Sequence, residues 1–462
     1  MMAPFQLNQL DQVEGTTELG PPAPPEAAPE ATPAPEPAAA AEPESNGRGR
    51  HAATSPRKRR TWVRIVLALL LVAILAAAGG FVTARLRVPA AAATVTSTLA
   101  PTVTISSPPV TLPWAAMGQS AISVPSLGVA ESSSNEVPVP VASLTKLMTA
   151  YVILRDHPLA AGQSGPNITM TPADVADYEA DTTQDQANAA ITVGEVLTEL
   201  QLLEGTLVHS ANDFADALAT WDAGTLPAFV AKMNQAAAQL GMTHTTFADA
   251  SGYSAASQST ASDILIVAAK DMEDPTLASI VRMPSVTLPV AGTVATYTPL
   301  LGFLGTVGVK SGFTSQAGGC DVLAVARVVH GQKVLILAAV TGQTGVNQPN
   351  VLLAAGGAAL TLADAVDTSL GSQPVVPAGS AVARVSAAGH SVDAVAQPTT
   401  EVLTWPGLSY HRVLVRSHAV TAGDAAGTRV GSVVVTLANR HIVVPVRLAQ
   451  DLPKATLFQR LF

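Results

Sequence analysis

The sequence contains few charged side chains, few aromatic side chains and a single cysteine. Of its 462 residues, 13% are charged and 4% are aromatic, so part of the chain is not expected to form a packed core. The net charge is −9 and no basic run occurs after residue 87, which argues against nucleic acid as a partner. Cys320 has no second cysteine in the chain, and a small buried side chain is favoured over a disulfide between chains. Metal-ligand spacings of His and Cys and phosphate-cradling glycine loops are missing, so neither a metal nor another cofactor is expected.

The first 60 residues predict a disordered cytoplasmic segment with a basic end. Residues 1 to about 47 are rich in Pro, Ala and Glu and have almost no large apolar side chains. They cannot bury enough apolar surface to offset the entropy of ordering. The sign of the charge then changes at a group of basic residues: Arg48, Arg50, Arg57, Lys58, Arg59 and Arg60.

The apolar run from Ile65 to Val82 contains no charge and is close to the roughly 20 residues that a helix needs to cross a bilayer. We expect residues 61–84 to form a single transmembrane helix that anchors the protein in the cell membrane. Because basic residues before the run outnumber Arg85 and Arg87 after it, the N-terminus is predicted to be cytoplasmic and the remainder extracytoplasmic. A cleaved signal peptide is the alternative, although about 60 preceding residues are too many for its charged region.

Residues 85–115 predict an extracytoplasmic linker, and residues 116–368 predict a mixed α/β (α+β) domain. The linker is mostly Ala, Thr, Ser, Val and Pro without helical periodicity. In the domain, the patterns predict strands within 120–129, 305–309, 320–329 and 334–340, and helices within 144–154, 192–203, 227–241, 260–271 and 351–366. Strands, then helices, then strands and a closing helix are typical of an antiparallel sheet flanked by helices.

The remainder of the chain predicts a small all-β domain and a short tail. Residues 372–450 contain short alternating Val-rich stretches separated by Gly, Pro and Asn. The tail, 451–462, carries Leu457, Phe458, Leu461 and Phe462 at near-helical spacing. It is too short to hold a membrane firmly, so we interpret it as packing against the domain.

The first candidate motif is Ser143-Leu144-Thr145-Lys146. A hydroxyl and an amine three residues apart lie on one face of a helix, so the amine can reach the hydroxyl proton. Taken alone, the pair is better explained as an ordinary helix N-cap followed by a solvated lysine.

Two further motifs change that interpretation. Ser210-Ala211-Asn212 offers a second hydroxyl and an amide on a connection between helices, and Lys310-Ser311-Gly312 offers a cation and a hydroxyl after a β-compatible run. The glycine allows another chain to lie close to the strand. Their order and their contexts are typical of penicillin-recognising serine enzymes.

The chain resembles the D-alanyl-D-alanine carboxypeptidases of the low-molecular-weight penicillin-binding proteins, which form peptidase family S11. The stretches that carry this resemblance are VASLTKLMT at 141–149, SANDFADALA at 210–219, FVAKMNQAAAQLGMTHTTF at 229–247 and GVKSGFTSQAGGC at 308–320. It covers roughly residues 116–368 and, less closely, the β domain. It implies a β-lactamase/DD-peptidase-like domain with a helical lobe, acting on peptidoglycan stem peptides and acylated by β-lactams.

The resemblance also implies roles for individual residues. Ser143 would be the nucleophile, Lys146 its base and Ser210 the proton shuttle to the leaving amine. Lys146 can act as a base only when neutral, which requires a pKa lowered by burial and by repulsion from Lys310.

The remaining residues would bind substrate. Asn212 would hold the peptide backbone, Lys310 and Ser311 the terminal carboxylate, and the N–H groups of Ser143 and Phe313 the oxyanion. Gly312 and Thr314 complete the predicted substrate-binding set.

Some features depart from the family pattern, and alternatives stay open. Ser311 stands where threonine is more usual, the turn at 248–252 differs, and no glutamate is identified as a separate deacylating base. A β-lactam is therefore expected to acylate Ser143 and to leave slowly. Beside a DD-carboxypeptidase, the same residues suit a DD-endopeptidase acting on cross-links. An inactive wall-binding scaffold with the same fold is the alternative of a different class.

Overall fold

The structure is a computed structural model that describes residues 56–87, 92–160, 162–345, 347–399, 401–438 and 440–461. Of the segment predicted to be disordered, residues 1–60, positions 1–55 lie outside the described residues, whereas positions 56–60 differ from the prediction and are helical. The chain divides into two units, Met1–Ala78 and Gly79–Phe462.

Helix α1, Pro56–Arg87, contains the predicted transmembrane segment. Its stretch from Thr61 to Arg87 has 27 residues, about 40 Å at 1.5 Å per residue, which is enough to cross a bilayer. The apolar side chains along it, such as Leu67 and Leu75, are exposed. The predicted N-terminal apolar helix is therefore confirmed and suggests membrane anchoring. A second helix, Gln348–Ser369, is also long and apolar enough to cross a membrane, but half of its apolar stretch is buried in the protein.

A five-stranded antiparallel sheet forms the centre of the second unit, in the order β11-β12-β13-β3-β4. Its strands are β3 (Gln119–Val124), β4 (Val129–Ser132), β11 (Thr306–Thr314), β12 (Gly318–Val329) and β13 (Gln332–Gln343). Because successive side chains of a strand point to opposite faces, Val322 and Ala324 face a helical lobe. Leu323 and Val325 face a second core. The sheet is therefore covered on both sides.

The helical lobe covers the first face of this sheet. Its helices are α2 (Thr145–Asp156), α3 (Pro172–Thr183), α4 (Glu199–Val208), α5 (Asn212–Ala223), α6 (Leu226–Leu240), α7 (Ala261–Glu273) and α8 (Pro275–Ile280). Helix α6 ends at Gly241 in the left-handed conformation, as the sequence predicted. Helix α7 is capped by the Thr260 side chain, which was one of two candidates with Ser259. Three short strand pairs connect the helices: β5 (Val139–Pro140) with β8 (Gln258–Ser259), β6 (Asn167–Thr169) with β7 (Val196–Thr198), and β9 (Ser285–Leu288) with β10 (Gly292–Ala295).

One predicted helix start was wrong. The pair Thr192 and Glu195 predicted a capping box at the start of a helix, and the Thr192 N–H does donate to Glu195 Oε2, at 3.2 Å. The chain then forms β7, and α4 begins at Glu199 with a capping box of Thr198 and Gln201. The helix starts at the second capping box because residues 196–198 are paired with β6 as a strand and cannot be helical.

The second face of the sheet is covered by α9 (Gln348–Ser369) and a β-rich region. That region contains β14 (Gly371–Pro374), β15 (Ala381–Ala387), β16 (His390–Ala396), β17 (Glu401–Thr404), β18 (Ser409–Arg416), β19 (Arg429–Leu437) and β20 (Arg440–Leu448). Buried side chains of α9 and of β15 belong to one continuous core with the face of the five-stranded sheet. The predicted β domain thus shares its core with the domain before it.

The segment predicted to be a linker contributes two strands to a seven-stranded sheet. These are β1 (Thr94–Ser97) and β2 (Thr102–Thr104), and the order is β1-β15-β16-β20-β19-β18-β2. The linker was predicted from its lack of helical periodicity, which equally suits edge strands that pair only in the folded chain. Residues 92–104 are therefore part of the β sheet and not a free spacer.

The tail was interpreted as packing through its apolar side chains, and here the structure differs. Leu452 is buried, whereas Leu457 and Phe458, in α10 (Leu457–Leu461), are 62% and 71% exposed. The helix contacts the β sheet through Gln459, whose Nε2 donates to the Ala388 carbonyl at 2.8 Å.

Candidate active site

Ser143 lies in a 3₁₀ turn, Ala142–Leu144, that leads directly into α2. Ala142 has a φ of 49°, a left-handed conformation that is rare for a residue with a Cβ and typical of functional sites. Lys146 lies in the first turn of α2, so its side chain points back toward Ser143. The Lys146 Nζ to Ser143 Oγ distance is 3.2 Å. The spacing of the motif therefore brings the two groups together as predicted.

Lys146 is completely buried and is held by two further acceptors. Its Nζ donates to Asn212 Oδ1 at 2.5 Å and to the Ser251 carbonyl at 2.9 Å. Burial lowers the pKa of Lys146 from 10.5 to about 8, and nearby carboxylates, led by Asp249, oppose that shift. The amine is thus partly neutral near neutral pH, which a base requires.

The sequence also predicted that repulsion between Lys146 and Lys310 lowers a lysine pKa, and this repulsion acts on the pKa of Lys310. Burial first, and Lys146 second, hold the pKa of Lys310 well below its ordinary value, while Asp321 opposes the shift. Burial alone accounts for the lowered pKa of Lys146. We therefore attribute the lowered pKa of Lys146 to burial and not to repulsion from Lys310. Both side chains are at most 1% exposed, and desolvation acts on each amine whether or not the other is charged.

Ser210 and Asn212 lie at the junction of α4 and α5. Ser210 has a φ of 62°, which turns the chain sharply before α5 begins at Asn212. Asn212 is 5% exposed, and its Nδ2 donates to Gln186 Oε1 at 2.5 Å. Ser210 faces the same cleft as Ser143.

Residues 310–314 occupy the edge strand β11. The Ser311 hydroxyl donates to the Tyr297 carbonyl at 2.7 Å, and Lys310 Nζ donates to the Ser311 carbonyl at 2.8 Å. A Cβ on Gly312 would lie 2.8 Å from the Ser143 backbone nitrogen. Only glycine therefore lets this strand approach the Ser143 turn so closely.

Sequence reasoning missed a third wall of the site, the turn at 248–252. The sequence shows only that this turn departs from the family pattern, yet its Ser251 carbonyl is one of the acceptors for Lys146. Gly252 has a φ of 82°, and a Cβ there would lie 1.9 Å from the Ala142 carbonyl oxygen. Gln186 was missed as well. Gly252 was the sequence signal that could have pointed to the turn at 248–252. The Ser251 carbonyl and Gln186 belong to no spacing pattern, so the sequence could not have indicated them.

These groups surround a cleft of about 380 Å³. Its walls include Ser143, Gln186, Ser210, Asn212, Tyr253, Tyr297, Ser311, Gly312, Phe313 and Thr314. The cleft thus places one hydroxyl beside a buried amine, with a strand edge on the opposite wall. In the part of the chain that the structure describes, no three His, Cys, Asp or Glu side chains converge as a metal site.

Two further side chains, His209 and Cys320, have packing roles. His209 Nδ1 lies 3.0 Å from the Ala295 carbonyl, and its ring stacks on Tyr297. Cys320 is buried, which raises the pKa of its thiol to about 12. Cys320 is thus the small buried side chain that the sequence favoured.

The fold and this cleft define a class: an α/β protein of the DD-peptidase type. The sequence model of the D-alanyl-D-alanine carboxypeptidases, peptidase S11, matches residues 122–344. A D-alanyl-D-alanine carboxypeptidase of Mycobacterium tuberculosis is 34% identical over 211 residues, 44% of this chain and 67% of that protein. A D-alanyl-D-alanine carboxypeptidase of a Streptomyces strain is 30% identical over 202 residues, 40% of this chain and 67% of that protein. The chain therefore belongs to the peptidase S11 family.

Other relatives carry a different name or show the fold alone. A D-alanyl-D-alanine endopeptidase of Haemophilus influenzae is 36% identical over 142 residues, 30% of this chain and 44% of that protein. The crystal structure of a D-alanyl-D-alanine carboxypeptidase from Francisella tularensis is similar in fold, with a TM-score of 0.51 and 19% identity over 76% of this chain and 96% of the other. A peptidoglycan synthesis regulatory factor of Streptococcus pneumoniae gives a TM-score of 0.54 and 21% identity over 74% and 99%.

Proposed function

We propose that this protein is a serine-type D-alanyl-D-alanine carboxypeptidase that removes the terminal D-alanine from peptidoglycan stem peptides. The observation that carries the proposal is the buried Lys146 amine, with a pKa of about 8, placed 3.2 Å from the Ser143 hydroxyl in an open cleft. Membership of the S11 family supports the same activity.

The first step is acylation of Ser143. Neutral Lys146 takes the hydroxyl proton while Ser143 Oγ attacks the carbonyl carbon of the penultimate D-alanine. The N–H groups of Ser143 and Phe313 stabilise the oxyanion. As the peptide bond breaks, Ser210 passes the proton that Lys146 took up to the departing amine, so free D-alanine leaves and Lys146 is neutral again. The result is an ester between Ser143 and the shortened peptide.

The terminal carboxylate of the substrate lies at strand β11 in this proposal. Lys310 lies beneath the strand, where the bound carboxylate favours its charged form, and the Ser311 hydroxyl donates to the carboxylate. In the structure that hydroxyl donates to the Tyr297 carbonyl, so it must rotate when substrate binds. Asn212 and the strand edge hold the peptide backbone.

Water then hydrolyses the ester, with Lys146 as the base. The same nucleophile opens a β-lactam ring, and the leaving amine stays attached to the acyl group. Such an adduct leaves slowly, because the bound fragment obstructs the approach of water. The protein is thus a β-lactam target in this proposal.

We also infer the location of the enzyme. Basic residues precede the apolar run of α1 and favour a cytoplasmic N-terminus by the positive-inside rule. The catalytic domain, residues 116–368, is then extracytoplasmic, where peptidoglycan is found.

Endopeptidase activity on cross-links is the second candidate, because a relative of this chain is named a D-alanyl-D-alanine endopeptidase. The two activities differ in what leaves: free D-alanine from a pentapeptide, or a second stem peptide from a cross-linked dimer. Product analysis by mass spectrometry on both substrates separates them. An inactive scaffold would bind peptidoglycan and release neither product.

Covalent labelling tests the proposal directly. We expect the detergent-solubilised full chain to bind a fluorescent penicillin covalently, and Ser143→Ala to abolish the label. Ser134→Ala, at an exposed serine outside the cleft, is the matched control and should label fully. A label that survives Ser143→Ala would refute the assignment of the nucleophile.

A further inference from the structure

Three carboxamides form a row that leads from the rim of the cleft to Lys146. Gln186 Nε2 donates to Gln184 Oε1 at 3.2 Å, Asn212 Nδ2 donates to Gln186 Oε1 at 2.5 Å, and Lys146 Nζ donates to Asn212 Oδ1 at 2.5 Å. We propose that Gln186, supported by Gln184, is a positioning residue that fixes the Asn212 carboxamide and so directs the free electron pair of Lys146 at Ser143. This inference rests on the proposed function of Lys146 as the base.

The direction of the electron pair follows from counting hydrogen-bond donors. A neutral amine has two N–H groups and one electron pair. Asn212 Oδ1 and the Ser251 carbonyl can only accept, so each takes one N–H of Lys146. The electron pair is left for the third neighbour, the Ser143 hydroxyl at 3.2 Å. The base is therefore aimed by two acceptors.

Asn212 can serve as an acceptor only in one of its two orientations. If its carboxamide turned over, the NH₂ group would face Lys146 and the electron pair would accept from Asn212 instead of from Ser143. Gln186 Oε1 prevents this turn, because it accepts the Nδ2 hydrogen in the observed orientation. Asn212 is 5% exposed, and an NH₂ group buried there without an acceptor is costly.

Gln186 could itself turn over and present its NH₂ group to Asn212. Gln184 Oε1 opposes that turn by accepting from Gln186 Nε2. The backbone of Gln186 is also held, since its N–H donates to the Asp181 carbonyl at 2.9 Å and its carbonyl accepts from Asn188 Nδ2 at 3.0 Å. Gln184 is exposed and Gln186 is half-buried. The influence on the base should therefore fall from Gln186 to Gln184.

Several charged groups face Lys146 and must be considered in any test that varies pH. Asp181 approaches from α3, Asp213 and Asp216 from α5, and Asp249 from the turn at 248–252. Lys310 approaches from β11. A carboxylate introduced at position 186 would join the four acidic groups, keep an acceptor for Asn212 and favour protonated Lys146. Substitutions at position 186 can thus test the effect of the hydrogen-bond acceptor separately from the effect of a negative charge.

The experiment measures the second-order rate constant for acylation of Ser143 by a fluorescent penicillin between pH 6 and 10. It uses the detergent-solubilised full chain. We expect Gln186→Met, which keeps the size and removes the acceptor, to be slowed at least tenfold at every pH. Gln186→Glu should keep a near wild-type rate at high pH but need a higher pH to reach it. Gln184→Ala should be slowed less than threefold.

Gln235→Met, at an exposed glutamine of α6, is the matched control and should acylate as the wild type does. Wild-type rates for Gln186→Met would overturn the proposal, as would equal losses in Gln186→Met and Gln186→Glu without a shift along the pH axis. If Gln186→Met fails to melt cooperatively, the pH profile of Gln186→Glu decides alone. Failure of the wild type to acylate would instead refute the proposed function.

Discussion

Single residues set the reactivity of the site through burial and close approach. Lys146 combines complete burial with fixed acceptors, and burial brings its pKa down to about 8. Without the ionised acidic groups nearby, led by Asp249, the pKa would be lower still, because each negative charge favours the charged amine. The pKa is thus a balance between desolvation and a negative surrounding.

Removing one of these carboxylates should shift the pH profile in a defined direction. In Asp216→Asn the charged form of Lys146 loses an attraction, so its pKa falls and the neutral base is reached at lower pH. We expect the acid limb of the acylation profile to move down by a fraction of a pH unit. Asp393→Asn, at an exposed aspartate of β16, should leave the profile unchanged. A shift of the acid limb to higher pH would contradict this account.

Gly312 provides a steric test of the close approach between β11 and the Ser143 turn. In Gly312→Ala the new Cβ would meet the Ser143 nitrogen at 2.8 Å, so strand and turn must separate. We expect the acylation rate to fall on the order of 10²-fold, because a displacement of about 1 Å at a reacting group has an effect of that size.

Gly357→Ala is the control for this substitution. A Cβ at Gly357, in α9, meets no atom within 4 Å, and alanine favours the helix by about 1 kcal/mol. That variant should acylate normally and melt slightly higher. Normal acylation in Gly312→Ala would show that the approach is unimportant.

At the scale of elements, helix α5 starts in an unusual way. Its N-cap is Ala211, whose side chain cannot accept a hydrogen bond, and the Asp213 carboxyl group accepts from the Ala189 N–H at 3.2 Å. Asp213 is itself 1% exposed. Burial raises its pKa to about 8, with Asp181 adding to the shift. The start of α5 therefore contains carboxyl groups that resist ionisation.

Asp213 should make the stability of the protein fall as pH rises. A carboxyl whose folded pKa is near 8, against 3.8 unfolded, retains its proton in the folded state. Its favourable contribution is complete below about pH 4 and is lost as pH rises towards 8. We expect Asp213→Asn to remove a slope of up to about 1.4 kcal/mol per pH unit between pH 5 and 7.

Urea unfolding of both proteins at pH 5, 6 and 7 measures this slope. The variant should gain stability relative to the wild type at each step of pH. A difference that stays constant with pH would show that Asp213 does not hold its proton.

At the scale of the whole molecule, residues 92–104 join the beginning of the second unit to its end. Strand β1 pairs with β15, and β2 pairs with β18. One short segment thus covers both edges of the sheet formed by β15, β16, β20, β19 and β18. Covered edges protect a sheet from pairing with other chains.

The inward side chains of this segment should therefore matter for stability. Val95 and Val103 are half-buried and pack on the second core. We expect Val95→Ala with Val103→Ala to lower the thermal midpoint by several degrees and to promote aggregation, since each loses part of its buried apolar surface. Thr94→Ala with Thr96→Ala, on the exposed face of β1, is the control. Equal midpoints for the two double variants would mean that the segment is not an integral part of the sheet.

The sequence by itself determined the local features of this protein. The Ser143–Lys146 spacing specified one helix face, Gly241 specified a helix end, and the β-rich runs within 320–340 specified two strands, because each depends on residues close in the chain. The tertiary structure alone decided what meets across the chain. It placed the Ser251 carbonyl and, through Asn212, Gln186 around Lys146, turned residues 94–104 into edge strands, and moved the start of α4 to Glu199. Such contacts depend on which distant surfaces pack together, and single residues carry no pattern that records them.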